Sequence, residues 1–193
     1  MSPWFAKAVI LLASVVMVVI RAPYGQRSRT IPVAKSRRGT LEIVLLTIAW
    51  AAFFLTLLWI VTPLFDFAEY PLNPIPLVAG TLCLALGLWL FHRSHADLGG
   101  NWSITLEVRE KHQLVTHGIY RWVRHPMYLS LLIYSVGQAL VVPNWFVGPS
   151  YGMSMILLFA FRVGPEEGMM LEEFGQDYQA YMATTKRLVP GIW

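Results

Sequence analysis

Apolar and polar positions fall in long alternating blocks along this chain, rather than at the short period of a half-buried strand. Residues 4–20 form a first apolar run, interrupted only by Lys7 and Ser14. A polar segment, 21–40, follows. Residues 41–61 form a second run, long enough to cross a bilayer core as a helix, and 75–91 a third. Between them, 62–74 holds Asp66, Glu69 and the prolines Pro63, Pro71 and Pro74, with no Lys or Arg. The longest polar segment, 92–124, precedes a fourth run at 127–142. Pro143 and Asn144 mark a tight turn, and 145–161 is the fifth run, so the last two runs predict a helical hairpin. In the closing segment, 162–193, Met170, Phe174, Tyr178 and Tyr181 recur at helical spacing. Glu166, Glu167, Glu172, Glu173 and Asp177 lie off that stripe. This predicts one amphipathic helix over 165–185, acids first and Lys186 and Arg187 last, as the helix dipole favours. The pattern as a whole predicts an all-α integral membrane protein with about five transmembrane helices and a C-terminal amphipathic helix. An acidic face suits that helix poorly to an anionic leaflet, so it is expected to pack on the protein's own basic loops.

Composition supports the membrane reading. Of 193 residues 56% are hydrophobic and only 13% charged, about half the usual soluble share. The length allows one domain over 1–193, divided into three N-terminal spans (1–91) and a half expected to carry the chemistry (92–193). The single cysteine, Cys83, excludes an intrachain disulfide. It also lacks the polar neighbours a nucleophilic thiol needs.

The formal charge of +4 is a matter of placement. Six of the fifteen Lys and Arg residues (Arg21, Arg27, Arg29, Lys35, Arg37, Arg38) lie in 21–40, five in 92–124 and three in 162–193. Only Lys7 falls elsewhere. Five spans put those three segments on one side, cytoplasmic by the positive-inside rule, with the N-terminus outside. The loop 21–40 reads as topogenic, with contact to anionic headgroups as its alternative. A cleaved signal peptide is disfavoured, because the first run is long and a basic loop follows it.

Candidate chemistry concentrates at residues 116–130, Thr-His-Gly-Ile-Tyr-Arg-Trp-Val-Arg-His-Pro-Met-Tyr-Leu-Ser. Pro126 suits the first position of a helix. The free amides after it would face a small anionic group alongside Arg124 and His125. An interfacial anchor explains the same residue types equally well. The hairpin, however, brings 117–128 close to 162–167, which adds Arg162, Glu166 and Glu167. Together these could hold a zwitterionic ligand bearing a carboxylate, an ammonium and a ribose. No metal is expected, since His112, His117 and His125 lack ligand spacing and there is no second cysteine. No phosphate-cradling glycine loop or dinucleotide fingerprint is present, and no nucleic-acid partner is implied.

Three pieces of sequence belong together: His112-x-Leu114-Val115-x-x-Gly118-x-Tyr120, then Arg124-His125-Pro126-x-Tyr128, then Arg162-x-x-x-Glu166-Glu167-x-x-x-Leu171-x-x-Phe174-Gly175-x-x-Tyr178-x-x-Tyr181. Jointly they resemble the isoprenylcysteine carboxyl methyltransferase family, within a wider group of membrane phospholipid methyltransferases. The resemblance covers about half the chain, from near Ser103 to Pro190. It implies S-adenosylmethionine as methyl donor, bound at the cytoplasmic face without a Rossmann fold, with S-adenosylhomocysteine as product. It implies donor contacts from His112, Gln113, Leu114, Val115, Tyr120, His125, Pro126, Met127, Tyr128 and Glu166, with Arg162 facing the methyl acceptor. Two departures carry expectations. Ser130 stands where the family often has glycine and is expected to narrow the donor site. Pro165 is expected to break the chain there, so that the fifth span ends near Arg162 and Glu166 and Glu167 start a separate helix.

The reaction so implied is methyl transfer to a lipophilic acceptor that enters from the bilayer among membrane lipids. A carboxylate acceptor is already ionised at neutral pH and needs no general base. An arginine such as Arg162 can clamp it at two points. Tyr120 and Tyr128 could flank a sulfonium by cation–π contact. An amine acceptor, as in phospholipid N-methylation, needs a base, for which Glu167 and His125 are the candidates. A sterol-reductase-like enzyme binding a reduced nicotinamide and a non-catalytic membrane scaffold are the remaining alternatives.

Overall fold

A computed structural model describes residues 3–36, 39–105, 107–109 and 113–191. Among the described residues, six α-helices carry the fold: α1 (Trp4–Thr30), α2 (Thr40–Val61), α3 (Pro74–Leu98), α4 (Pro126–Val141), α5 (Val147–Phe174) and α6 (Gln176–Thr184). The helical architecture agrees with the apolar runs. One small addition is an antiparallel ribbon of β1 (Val33–Ser36) and β2 (Glu107–Arg109). The strands, four and three residues long, are too short to show a strand pattern inside their charged polar segments. α1, α2 and α3 with its extension to Asn101 are long and apolar enough to cross a membrane, and α4 is a shorter apolar helix. Leu12, Val19, Phe54, Leu82, Met153 and Ile156 point outward from the bundle, as suits side chains that face lipid.

The helices start where the sequence provides for it. Asn73 caps α3 by accepting a hydrogen bond from the Ile75 amide at 3.0 Å, with Pro74 as first helical residue. Pro126 opens α4 in the same way. α3 and α4 meet backbone to backbone. A Cβ on Gly80 would lie 2.8 Å from the Gly137 carbonyl, and one on Gly87 would lie 2.9 Å from the Tyr134 amide. Small residues allow this approach between membrane helices. Ser130 belongs to the same contact. It is fully buried, its hydroxyl donates to the Met127 carbonyl at 2.6 Å, and its own carbonyl faces Gly87. The expectation that Ser130 narrows the donor site is therefore corrected: the hydroxyl bonds back to its own helix, on the α3 side.

The second departure is also corrected. α5 runs unbroken through Pro165 to Phe174. A proline within a helix costs about 3 kcal/mol, so something must hold the helix together here. Pro165 lies on the exposed face with Phe161, whose carbonyl loses its partner. On the opposite face Arg162, Val163, Glu167 and Met169 are buried and tied to other elements. The break comes later, at Gly175 with φ +51°, a left-handed conformation glycine adopts readily. The amphipathic stripe is thus shared by the end of α5 and by α6, which buries Tyr178 and Tyr181.

Connecting segments gather at two ends. At one, residues 62–73 pair with the α4–α5 turn. At the other, β1 joins β2, and the Arg124 and His125 amides donate to the Lys186 and Arg187 carbonyls at 2.8 and 3.0 Å. The three basic segments therefore share one end, as the charge pattern requires. Lys7 sits at the other, donating to the Ile60 carbonyl at 3.3 Å and lying over the Trp4 and Trp59 rings.

Candidate active site

Helices α1 and α3 continue past their apolar runs, and their polar extensions help frame a cavity of about 220 Å³ at the basic end. Its walls come from α1, α2, the segment after α3, the start of α4 and the middle of α5. The approach to α4 is fixed by one acid. Asp97 accepts a hydrogen bond from the Ile119 amide at 2.9 Å. Gly118 has φ +60°, and a Cβ there would lie 2.1 Å from the Asp97 carboxylate, so only glycine fits. The turn places Tyr120 in the wall, its hydroxyl donating to the Ser94 carbonyl at 3.4 Å. Burial, with Glu166 next in effect, raises the Tyr120 phenol well above its ordinary value. It is a neutral ring here and not a base.

Nine of the ten residues expected to contact the donor line this cavity: Gln113, Leu114, Val115, Tyr120, His125, Pro126, Met127, Tyr128 and Glu166. His112 lies outside the described residues. Helix geometry leaves the Met127 and Tyr128 amides without intrahelical acceptors at the start of α4. Glu166, partly exposed, accepts from the Tyr128 hydroxyl at 2.9 Å and lies 3.8 Å from His125 Nδ1.

The two catalytic candidates separate. Arg162 lines the cavity, donating to the Ile104 carbonyl at 2.7 Å and lying 3.6 Å from Glu42 of α2. Because α5 is continuous, Glu166 sits one turn on, with its Oε2 4.0 Å from Arg162 Nε. Arg162 Nε is buried without a hydrogen-bond acceptor. Glu167 is not in the cavity wall. It is buried between two arginines and a histidine: Arg124 at 2.7 Å, Arg187 at 2.7 Å and His125 Nε2 at 3.1 Å. Burial alone would raise its carboxyl. Hydrogen bonds from His125, Arg187 and Arg124 outweigh that and hold it well below the usual carboxylate range. Arg124 also donates to the Thr185 and Met182 carbonyls. Glu167 thus fastens the start of α4 to α5 and to the segment after α6.

Sequence reasoning passed over Glu42, Trp50 and Trp102, and read Arg21 only as part of a loop. Glu42 had a signal, as the sole acid in its apolar run; an ionisable residue inside a span is a functional candidate by default. Trp50 and Trp102 carried none.

Comparison with known proteins agrees with this geometry. A model of the phospholipid methyltransferase family matches residues 75–177. The chain is 35% identical over 114 residues to a protein-S-isoprenylcysteine O-methyltransferase of Tribolium castaneum, covering 58% of this chain and 41% of that protein. It is 31% identical over 117 residues to the Homo sapiens protein of that name, covering 60% and 40%. The chain therefore spans less than half the length of these relatives. Its fold is similar to a solved eukaryotic intramembrane Ras methyltransferase, isoprenylcysteine carboxyl methyltransferase. The TM-score is 0.53 at 26% identity, over 81% of this chain and 54% of that one. The matched residues run through α3, the cavity wall at Gln113–Tyr128 and the whole of α5, and the chain belongs to the phospholipid methyltransferase family.

Proposed function

We propose that this chain is an S-adenosylmethionine-dependent methyltransferase whose acceptor is the carboxylate of a lipophilic, isoprenylcysteine-like molecule. The observation that carries the proposal is the position of Arg162. It stands where the polar wall of Gln113–Tyr128 and Glu166 meets an apolar wall of α1, α2 and α5.

The residues fit the donor by their chemistry. Free amides at the start of α4 suit a carboxylate, Glu166 suits an ammonium or ribose hydroxyls, and Tyr120 and Tyr128 suit a sulfonium. S-adenosylmethionine, when bound, supplies an electrophilic methyl group. Transfer joins that carbon to an acceptor oxygen, while the breaking C–S pair stays on sulfur. No proton moves, so the protein's part is positioning and exclusion of water. Arg162 orients the acceptor carboxylate. Glu167 acts at one remove, holding His125 and Arg124 in place.

An amine acceptor fits less well. It would need a base, yet Glu167 is held ionised by Arg124 and Arg187, and His125 Nε2 already hydrogen-bonds to it. The same reading assigns five membrane crossings, with the basic end and the cavity cytoplasmic, and places the chemistry in 92–193. Calorimetry of purified protein with S-adenosylhomocysteine and with NADPH tests the proposal. Binding of the first alone is expected, and binding of NADPH or of neither overturns it. His125→Ala and Tyr128→Phe should weaken S-adenosylhomocysteine while leaving the protein folded.

A further inference from the structure

The apolar run of α1 stops at Ile20, but the helix does not, and Arg21 is carried into the cavity wall. Its guanidinium lies 5.5 Å from the Trp50 ring of α2 and 5.4 Å from the Trp102 ring beyond α3. Two indoles hold it from different elements, so its position is set before any ligand arrives. Among the described residues, Arg21 has no hydrogen bond and no ion pair. The other charged groups in this wall are engaged: Arg124 with Glu167, Arg162 with Glu42 and the Ile104 carbonyl, Glu166 with Tyr128. Arg162 is among the charges that act on Arg21 across the cavity.

A cation at the edge of a membrane helix, without an ion pair of its own, is costly unless a ligand supplies an anion. Among the described residues the carboxylate lining the cavity, Glu166, lies beside Tyr128 and Arg162 and makes no ion pair with Arg21. Two sources of that anion exist: the donor's own carboxylate and the acceptor's. The surroundings favour the acceptor. Arg21 follows Met17 and Val18 on α1 and lies against Trp50 of α2, whose helix also brings Leu46, Ala49 and Phe53 to the cavity wall, an apolar lining suited to a hydrocarbon chain. The donor-binding candidates lie in 113–128 and at Glu166.

We propose that Arg21 binds the anionic head of the methyl acceptor together with Arg162, so that the cavity selects a carboxylate borne on an apolar chain. The inference rests on the methyltransferase reading and deepens it. It also gives the N-terminal helices a role, since Arg21 lies outside the family-matched residues 75–177. A protonated amine in the same place would face two guanidinium groups and be repelled.

The test uses the full chain in nanodiscs, as wild type, Arg21→Gln and Arg21→Lys. Affinities are measured for N-acetyl-S-farnesylcysteine, for its neutral carboxamide and, separately, for S-adenosylhomocysteine. Wild type is expected to bind the carboxylate about tenfold or more tightly than the carboxamide, the scale of one charge-assisted hydrogen bond. Arg21→Gln should lower that ratio about tenfold and leave S-adenosylhomocysteine within twofold, on the same scale. Arg21→Lys should keep part of the ratio, having charge without the planar fork. An unchanged ratio in Arg21→Gln overturns the inference, as does a wild type indifferent to the carboxylate. An equal loss of S-adenosylhomocysteine binding overturns it too, by assigning Arg21 to the donor. The ratio is read without turnover. Wild-type protein that binds no S-adenosylhomocysteine sinks the functional reading separately.

Discussion

At the end away from the cavity, Asn144 turns α4 into α5 and uses its whole side chain within the protein. Its Nδ2 donates to the Phe65 carbonyl at 2.7 Å, and its Oδ1 accepts from the Phe146 and Val147 amides at 3.0 and 2.9 Å. The backbone around it is paired as well, Tyr70 to Pro143 and Trp145 to Ala68. At the cavity end, Arg162 Nε is buried without an acceptor and the half-buried Arg21 rests on ring faces. Both ends join helices at a membrane boundary. One end is complete in itself, as buried polar groups normally are; at the other, the proposed function has the ligands complete the set. That difference, rather than the abundance of Arg, His and Tyr, separates a site from an anchor.

Variants sharpen the contrast. The largest effect is expected at Glu167. Glu167→Ala leaves Arg124 and His125 buried beside a missing anion and should cost about 3–5 kcal/mol, seen as a lower unfolding temperature and weaker S-adenosylhomocysteine binding. Its folded carboxyl titrates below the unfolded one, so its contribution is complete above the ordinary value of about 4.3. That contribution fades as pH falls from there toward the folded value. The stability gap between wild type and Glu167→Gln should therefore shrink in acid. Arg162→Ala comes next: turnover should drop about 100-fold, the scale of removing one preorganised donor, with donor affinity within about twofold. Asn144→Ala should destabilise by about 2 kcal/mol while the folded protein keeps the proposed methyl-transfer activity. Glu166→Gln should weaken S-adenosylhomocysteine about tenfold, by loss of one charge-assisted hydrogen bond. If Arg162→Ala and Glu166→Gln instead share one defect, and the double variant is no worse, the two serve each other and not two ligands.

Helical spans and the hairpin turn were legible because long apolar blocks and Pro143-Asn144 are local signals. The part of the cavity wall formed by 113–128 was legible because its residues are close in sequence. Other features depended on tertiary contacts. Pro165 reads as a helix breaker, but the ties of Arg162 and Glu167 carry α5 through it. Glu167 reads as half of a carboxylate pair beside Glu166, and only the fold shows that one faces the cavity and the other is locked among cations. Arg21 reads as the first residue of a basic loop, because nothing in the sequence reveals that Trp50 and Trp102 meet on either side of it.

Methyl transfer to a carboxylate leaves an ester, and the bond formed identifies it. Protein in nanodiscs is given methyl-labelled S-adenosylmethionine with N-acetyl-S-farnesylcysteine, and in parallel with phosphatidylethanolamine. Label is expected on the farnesylcysteine alone, released as methanol by mild alkali, as an ester requires. Alkali-stable label on the phospholipid amine, or no transfer to the carboxylate, would contradict it.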